Sequence, residues 1–255
     1  MEKLFKDLMS LPVLASENGK DVDDLIIYIH LLMVALFVGW LGYFIYAVWK
    51  FRKSRNPKAD YVGVRNHASN YIEGIVAIVE AALLIFVAIP VWARAVDKKP
   101  PESEATVVQV VAEQFDWNVR YPGKDGKFGK QEMRLVANDN KFGVDRSDPA
   151  SKDDAEAVTQ IHVVVNKPVI AYISSRDVIH SFKVIALRIT QDAIPGMRIP
   201  VWFKPTTIGT YQINCAQLCG PSHSAMSRGL LIVESQADFD KWIATKSGAA
   251  PVNLE

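Results

Sequence analysis

The chain has 255 residues, enough for one compact domain together with a membrane segment. Its 29 basic and 28 acidic residues leave a formal net charge of +1, which excludes bulk-charge attraction to nucleic acid or another polyanion. Two cysteines are too few for a disulfide scaffold, and without a C-x-x-C-H run no haem is attached covalently to this chain.

In chain order, residues 1–24 read as an external segment. The short apolar run 8–15 reads as a weak leader or a surface segment, not a cleaved signal. Residues 25–51 are almost free of charge until Lys50, and 72–92 form a second apolar run. Each exceeds the roughly 20 residues that cross a ~30 Å hydrocarbon core. Both are apolar on every face, and nothing nearby is long enough to cover them. The pattern predicts a two-helix transmembrane hairpin over 25–96, joined by a loop over 52–70. Lys50, Arg52, Lys53, Arg55, Lys58 and Arg65 crowd that connection, with Asp60 the lone acid, whereas Asp21, Asp23 and Asp24 precede the first helix. Excess Lys and Arg mark the cytoplasmic side. Both ends therefore face outward, and 97–255 form an external domain, periplasmic in a bacterium. Within the second run, Glu73 and Glu80 share roughly one helix face. Carboxylates inside a span are costly and are functional candidates by default. His30 and His67 read as packing and headgroup-level residues.

Lys98-Lys99-Pro100-Pro101-Glu102 reads as a linker. Beyond it, segments 106–112, 117–121, 161–165, 169–174, 181–185, 201–204, 210–214 and 230–234 are rich in Val, Ile, Tyr and Phe and are bounded by Gly, Pro, Asn and Asp. They predict an all-β sandwich or barrel. Residues 124–155, rich in Gly, Asp, Lys and Ser, read as a surface excursion, and 239–245 as a short terminal helix. His162 reads as an ordinary sandwich residue.

The densest chemistry lies in Cys215-Ala-Gln-Leu-Cys219-Gly-Pro-Ser-His223-Ser-Ala-Met226. Thiolate and thioether are soft ligands, and imidazole suits the same borderline metals. The cysteine pair alone is open to a disulfide or half a zinc site. Zinc sites avoid methionine, and a blue-copper centre needs only one cysteine. His223 and Met226 at short spacing, with His180 upstream in Asp177-Val-Ile-His180-Ser-Phe182, point to two copper ions.

This motif resembles the CuA site of cytochrome c oxidase subunit II. So do Asp177-Val-Ile-His180-Ser-Phe182, Gln191-Asp-Ala-Ile-Pro-Gly196, Gly209-Thr-Tyr-Gln-Ile-Asn-Cys215 and the preceding apolar pair; the likeness spans about 22–245. It implies a transmembrane hairpin followed by an all-β cupredoxin-like Greek-key barrel, in the bacterial inner membrane with the copper domain on the periplasmic side. It further implies an electron-accepting subunit whose binuclear CuA centre takes electrons from cytochrome c. Those electrons would pass to haem in subunit I, supporting oxygen reduction and proton pumping. By the same resemblance Cys215 and Cys219 bridge two coppers, His180 and His223 each cap one, and Met226 and the Gln217 carbonyl are weak ligands. Gln217 stands where the family usually has Glu, whose side chain helps bind magnesium at the subunit I interface. A neutral amide is the poorer ligand for a hard dication. In Glu113-Gln-Phe115-Asp-Trp117, Phe115 falls where the family's electron-accepting tryptophan lies but reads as a core aromatic, and Trp117, which matches a second family tryptophan, is the candidate residue for electron entry. Glu73 matches the glutamate at the mouth of a proton pathway into subunit I. Glu80 occupies a position where the family often has proline, so the likeness gives it no role. A quinol-oxidase subunit would lack the copper ligands, nitrous oxide reductase would lack the hairpin, and a copper carrier would not need Glu73.

Overall fold

The computed structural model describes residues 7–58, 61–63 and 65–247, so Asp60 of the basic connection lies outside the described residues. The chain divides into two units, one built on Asp21–Arg94 and the other on Pro12–Lys20 with Ala95 onward.

Among the described residues, two helices of the first unit, α1 (Gly19–Phe51) and α2 (Ala68–Asp97), are long and apolar enough to cross a membrane. Phe37, Val38 and Phe44 on α1, and Ile75, Ile78 and Phe86 on α2, are exposed. Water would penalise such surfaces and a hydrocarbon solvent would not. Pro90 has no N–H to complete an α-helical turn. Immediately before it, Leu84–Ala88 widens into a π-turn, a common way to absorb a break in the i to i−4 ladder. Asp21 at the start of α1 pairs with Arg94 near the end of α2 at 3.0 Å. At the other end of α1, the Arg55 guanidinium lies 3.6 Å from the Trp49 ring centroid and the Lys50 ammonium 5.3 Å from that of Tyr46. Amphipathic rings beside cations are what a headgroup region favours.

The second unit holds ten strands: β1 (Thr106–Glu113), β2 (Asp116–Tyr121), β3 (Ala155–Val158), β4 (Gln160–Val164), β5 (Val169–Ser175), β6 (His180–Val184), β7 (Ile189–Ala193), β8 (Ile199–Phe203), β9 (Gly209–Cys215) and β10 (Gly229–Glu234). A final helix, α3, spans Gln236–Lys246. One sheet has the order β3-β2-β1-β5-β8 and the other β4-β10-β9-β6-β7. Alternation along the strands supplies the core between them: Val108 and Val110 of β1, Trp117 and Val119 of β2, Ile173 of β5, Phe182 of β6, Ile213 of β9, and Leu231 and Val233 of β10 are buried. The expected helix pair followed by a cupredoxin-like β unit is therefore what the chain forms. β3 and β7 were not legible as strands. β3 is four residues long, and β7 reads Ile-Thr-Gln-Asp-Ala with only its two ends buried. Neighbouring strands, rather than their own apolar content, complete them.

Two surface segments are tied to this unit by buried groups. Segment 12–20 docks on the sandwich: Ala15 N donates to Ala186 O at 2.8 Å, Thr206 N to Ala15 O at 2.8 Å, and Ser16 Oγ to Leu187 O at 2.8 Å. Ala15 and Ser16 are buried, so this part of the 8–15 run is structural. The excursion between β2 and β3 is pinned by Arg120, fully buried on β2. Its guanidinium pairs with Asp154 and donates to Gly129 O at 3.1 Å, clasping both ends of the excursion. Removing one member of a buried pair strands the other charge, at a cost of about 3–5 kcal/mol. Asp154→Ala should therefore destabilise the β unit by about that amount, read as a lowered denaturant midpoint.

Candidate metal centre

The register of the second sheet brings the proposed ligands together. β6 and β9 are antiparallel with Phe182 opposite Cys215, so the first residue of β6 (His180) and the last of β9 (Cys215) meet at one end. Ala216 N donates to Ser181 O at 2.9 Å and extends the ladder past Cys215. The chain then turns through Cys219-Gly220-Pro221 into a 3-10 helix, His223–Arg228, whose first N–H bonds to Gly220 O at 3.1 Å. Gly220 has φ +137°, and a Cβ there would lie 2.7 Å from Gln114 Nε2 and 3.0 Å from the Phe115 ring. Both the backbone angle and the lack of space demand glycine.

The Sγ atoms of Cys215 and Cys219 are 3.9 Å apart, and both cysteines are free and buried. That separation is far beyond a disulfide bond of about 2.05 Å. His180 Nδ1 lies 3.9 Å from Cys215 Sγ, and His223 Nδ1 lies 3.3 Å from Cys219 Sγ. The ligand atoms of His180, Cys215 and Cys219 all fall within 4.8 Å of one another. Cys215 Sγ–H points at the Gln217 carbonyl, 3.0 Å away. Met226 is buried in the same core as the two cysteines, on the 3-10 helix that begins at His223. Burial, reinforced by the neighbouring Cys215 sulfur, pushes the Cys219 thiol up to about 11. A metal must therefore displace its proton to bind. The donor set fits a soft, thiophilic metal held by two sulfurs and two imidazoles.

Orientation of His180 comes from Asp177. His180 is fully buried, and its Nε2 lies 2.9 Å from Asp177 Oδ1. An N–H at Nε2 leaves Nδ1, the atom facing Cys215, free to coordinate, the usual carboxylate–histidine arrangement. Burial opposes ionisation of Asp177, but hydrogen bonds from Gln114 N, His180 and Val178 N outweigh it and lower its pKa. Trp117 is wholly buried against the site. Its Nε1 donates to Met226 O at 3.0 Å, and its ring sits edge-on to His180 with centroids 6.3 Å apart. An indole buried this way presents no face to an external protein, whereas Phe115 is only partly buried. The structure thus gathers His180, Cys215, Cys219, His223 and the Gln217 carbonyl, with Met226 and Trp117 alongside. Glu73 belongs to the first unit, exposed on α2. Reasoning from the sequence missed the roles of Asp177 and Gln114. The Asp177 signal was present, a carboxylate three residues before a candidate ligand histidine.

The family model for the periplasmic domain of cytochrome c oxidase subunit II matches residues 106–235. The chain is 30% identical over 230 residues to the alternative cytochrome c oxidase subunit 2 of Bradyrhizobium diazoefficiens, covering 89% of this chain and 80% of that one. It is 29% identical over 240 residues to cytochrome c oxidase subunit 2 of Cereibacter sphaeroides, covering 88% and 75%. Among solved structures, the periplasmic domain of subunit II of cytochrome oxidase of Bradyrhizobium japonicum matches at 26% identity and a TM-score of 0.39, over 55% of this chain and 92% of that one.

One rim of the site is braced by charge. Glu113 accepts from Lys141 at 2.8 Å, Arg176 at 2.6 Å and Asn118 at 3.1 Å. Lys141 comes from the excursion and Arg176 from the turn that carries Asp177. Burial opposes ionisation of Glu113, but the bonds from Lys141, Asn118 and Arg176 prevail and hold its pKa below the ordinary value of 4.5. A depressed carboxylate contributes stability that is present above its unfolded pKa and is lost as pH falls through the folded one. Glu113→Gln should therefore destabilise the β unit at neutral pH, and the gap from wild type should close as pH drops below 4.5, measured by denaturant titration across pH.

Proposed function

The chain belongs to the cytochrome c oxidase subunit II family, and from that premise we propose that it is the electron-accepting subunit of its oxidase, holding a binuclear CuA centre. The observation that carries this reading is the pair of free, buried thiols 3.9 Å apart with an imidazole nitrogen beside each. Cys215, Cys219, His180 and His223 would hold the two metals, with Met226 and the Gln217 carbonyl as weaker ligands. When bound, the copper pair would supply one-electron redox chemistry shared over two metals. The protein supplies rigidity: strand ends hold His180 and Cys215, and Asp177 fixes the tautomer and plane of His180. Electrons arrive from cytochrome c by way of the partly buried Phe115 ring or the exposed copper loop, with Trp117 as an inner neighbour. They leave for the haem of subunit I, where oxygen is reduced and protons are pumped. The exposed Gln217 amide makes a hydrogen-bonding contact at that interface and is a poorer magnesium ligand than a carboxylate.

In this reading α1 and α2 both cross the bacterial inner membrane, with the basic connection in the cytoplasm and the β unit in the periplasm. Glu73 then lies near the cytoplasmic end of α2, at the mouth of a proton pathway into subunit I.

Two measurements test the proposal. The purified full-length chain should carry two coppers, and its electron spin resonance should show one electron shared by two copper nuclei. A Cys215–Cys219 disulfide, or a single zinc, would overturn the assignment. In the assembled oxidase, Glu73→Gln should slow turnover while copper reduction by cytochrome c keeps its wild-type rate; unchanged turnover removes Glu73 from the proton pathway.

A further inference from the structure

Two parts of the metal centre come from separate strands of the second sheet: His180 with its Asp177, and the Cys215–His223 turn. Neither strand pairing reaches as far as Cys219, which sits in the turn beyond β9. What touches that turn instead is residue 114, in the β1–β2 connection of the other sheet. Gln114 Nε2 donates to Cys219 O at 2.6 Å. The main-chain N–H of the same residue donates to Asp177 Oδ2 at 2.7 Å, and the other oxygen of that carboxylate holds His180 Nε2. Gly220, next to Cys219, lies so close to the Gln114 amide and the Phe115 ring that a side chain there would collide with both. Glu113 is anchored by Lys141, Arg176 and Asn118, so the connection itself is stationed from three directions.

We propose that Gln114 is a positioning residue that clamps the Cys219 turn to the carboxylate orienting His180, setting the separation of the two halves of the metal centre across the sandwich. The spectroscopic arm of the test rests on the copper reading given above; the clamp itself is a property of the metal-free chain. Cys215 and Cys219 are buried, so a thiol reagent reaches them only when the turn opens. Opening breaks the Gln114–Cys219 bond, and a net hydrogen bond corresponds to roughly a threefold to tenfold change in such an equilibrium.

The experiment uses the full chain in detergent. In Gln114→Leu, thiol modification of the metal-free protein should be roughly three to ten times faster than in wild type. Gln114→Glu keeps the length but offers the Cys219 carbonyl an acceptor in place of a donor. It should show the same acceleration, and it tests the clamp if the leucine variant does not fold. Gln131→Leu removes the same kind of bond, Nε2 to Phe142 O, in the excursion and should leave the rate unchanged. After copper loading, both Gln114 variants should retain the metal but show altered copper hyperfine splittings, a local change that mere loss of stability would not produce. Wild-type thiol rates and hyperfine splittings in both Gln114 variants would overturn the clamp and leave the copper assignment standing. Accelerated thiols in a chain that never binds paired copper would do the reverse.

Discussion

Antiparallel pairing of β6 with β9 is the constraint on which the rest of the molecule depends. It sets Phe182 opposite Cys215 and so delivers a histidine and a cysteine, 35 residues apart in sequence, to the same end of one sheet. Because side chains alternate along a strand, a one-residue slip would turn His180 and Phe182 away from the core and the ligand set would dissolve. Phe182 opposes that slip. It is fully buried, edge-on to Trp117 at 5.5 Å between centroids, and its displacement would expose a large apolar surface. The hydrophobic core thus acts as the register pin for a polar site at its edge.

Around that pin, several of the proposed ligands are held by groups that are not ligands themselves. Asp177 leaves His180 only one nitrogen with which to face the sulfurs. Gly220 permits the turn that returns the chain from Cys219 to His223. Trp117 holds the carbonyl of Met226, fixing the backbone of the 3-10 helix. The proposed role in electron transfer would gain from such support, since every displacement of a ligand is a reorganisation that the transfer must otherwise supply. The β1–β2 connection extends the support across the sandwich, and Glu113 links it to the excursion through Lys141 and to the Asp177 turn through Arg176.

The surface segments belong to the same scheme. Segment 12–20 runs from before α1 into its first residues, yet hydrogen-bonds with Ala186, Leu187, Lys204 and Thr206. The β unit is therefore assembled from chain on both sides of the helical pair. Any soluble fragment that starts after α2 would lack Ala15 and Ser16 and leave the backbone groups they satisfy open to water.

The two long apolar helices and the cluster from Cys215 to Met226 were legible in the sequence because both are local signals. An unbroken apolar run needs no partner to be recognised, and two thiols, an imidazole and a thioether within twelve residues suggest metal chemistry by their types and spacing. Most strands could be read from alternation for the same reason. β3 and β7 could not, because neighbouring strands complete them, and neither could the docking of segment 12–20 on residues some 170 positions away. The bond from Gln114 to Cys219 spans 105 residues and that to Asp177 spans 63. A glutamine in a turn carries no pattern that names its partner; only the closure of one sheet over the other brings its amide to a carbonyl beside the ligand sulfurs. Residue type by itself determined which atoms are able to bind metal. The tertiary structure decided which of them meet and what holds them still, because contact between distant residues is a property of packing and not of composition.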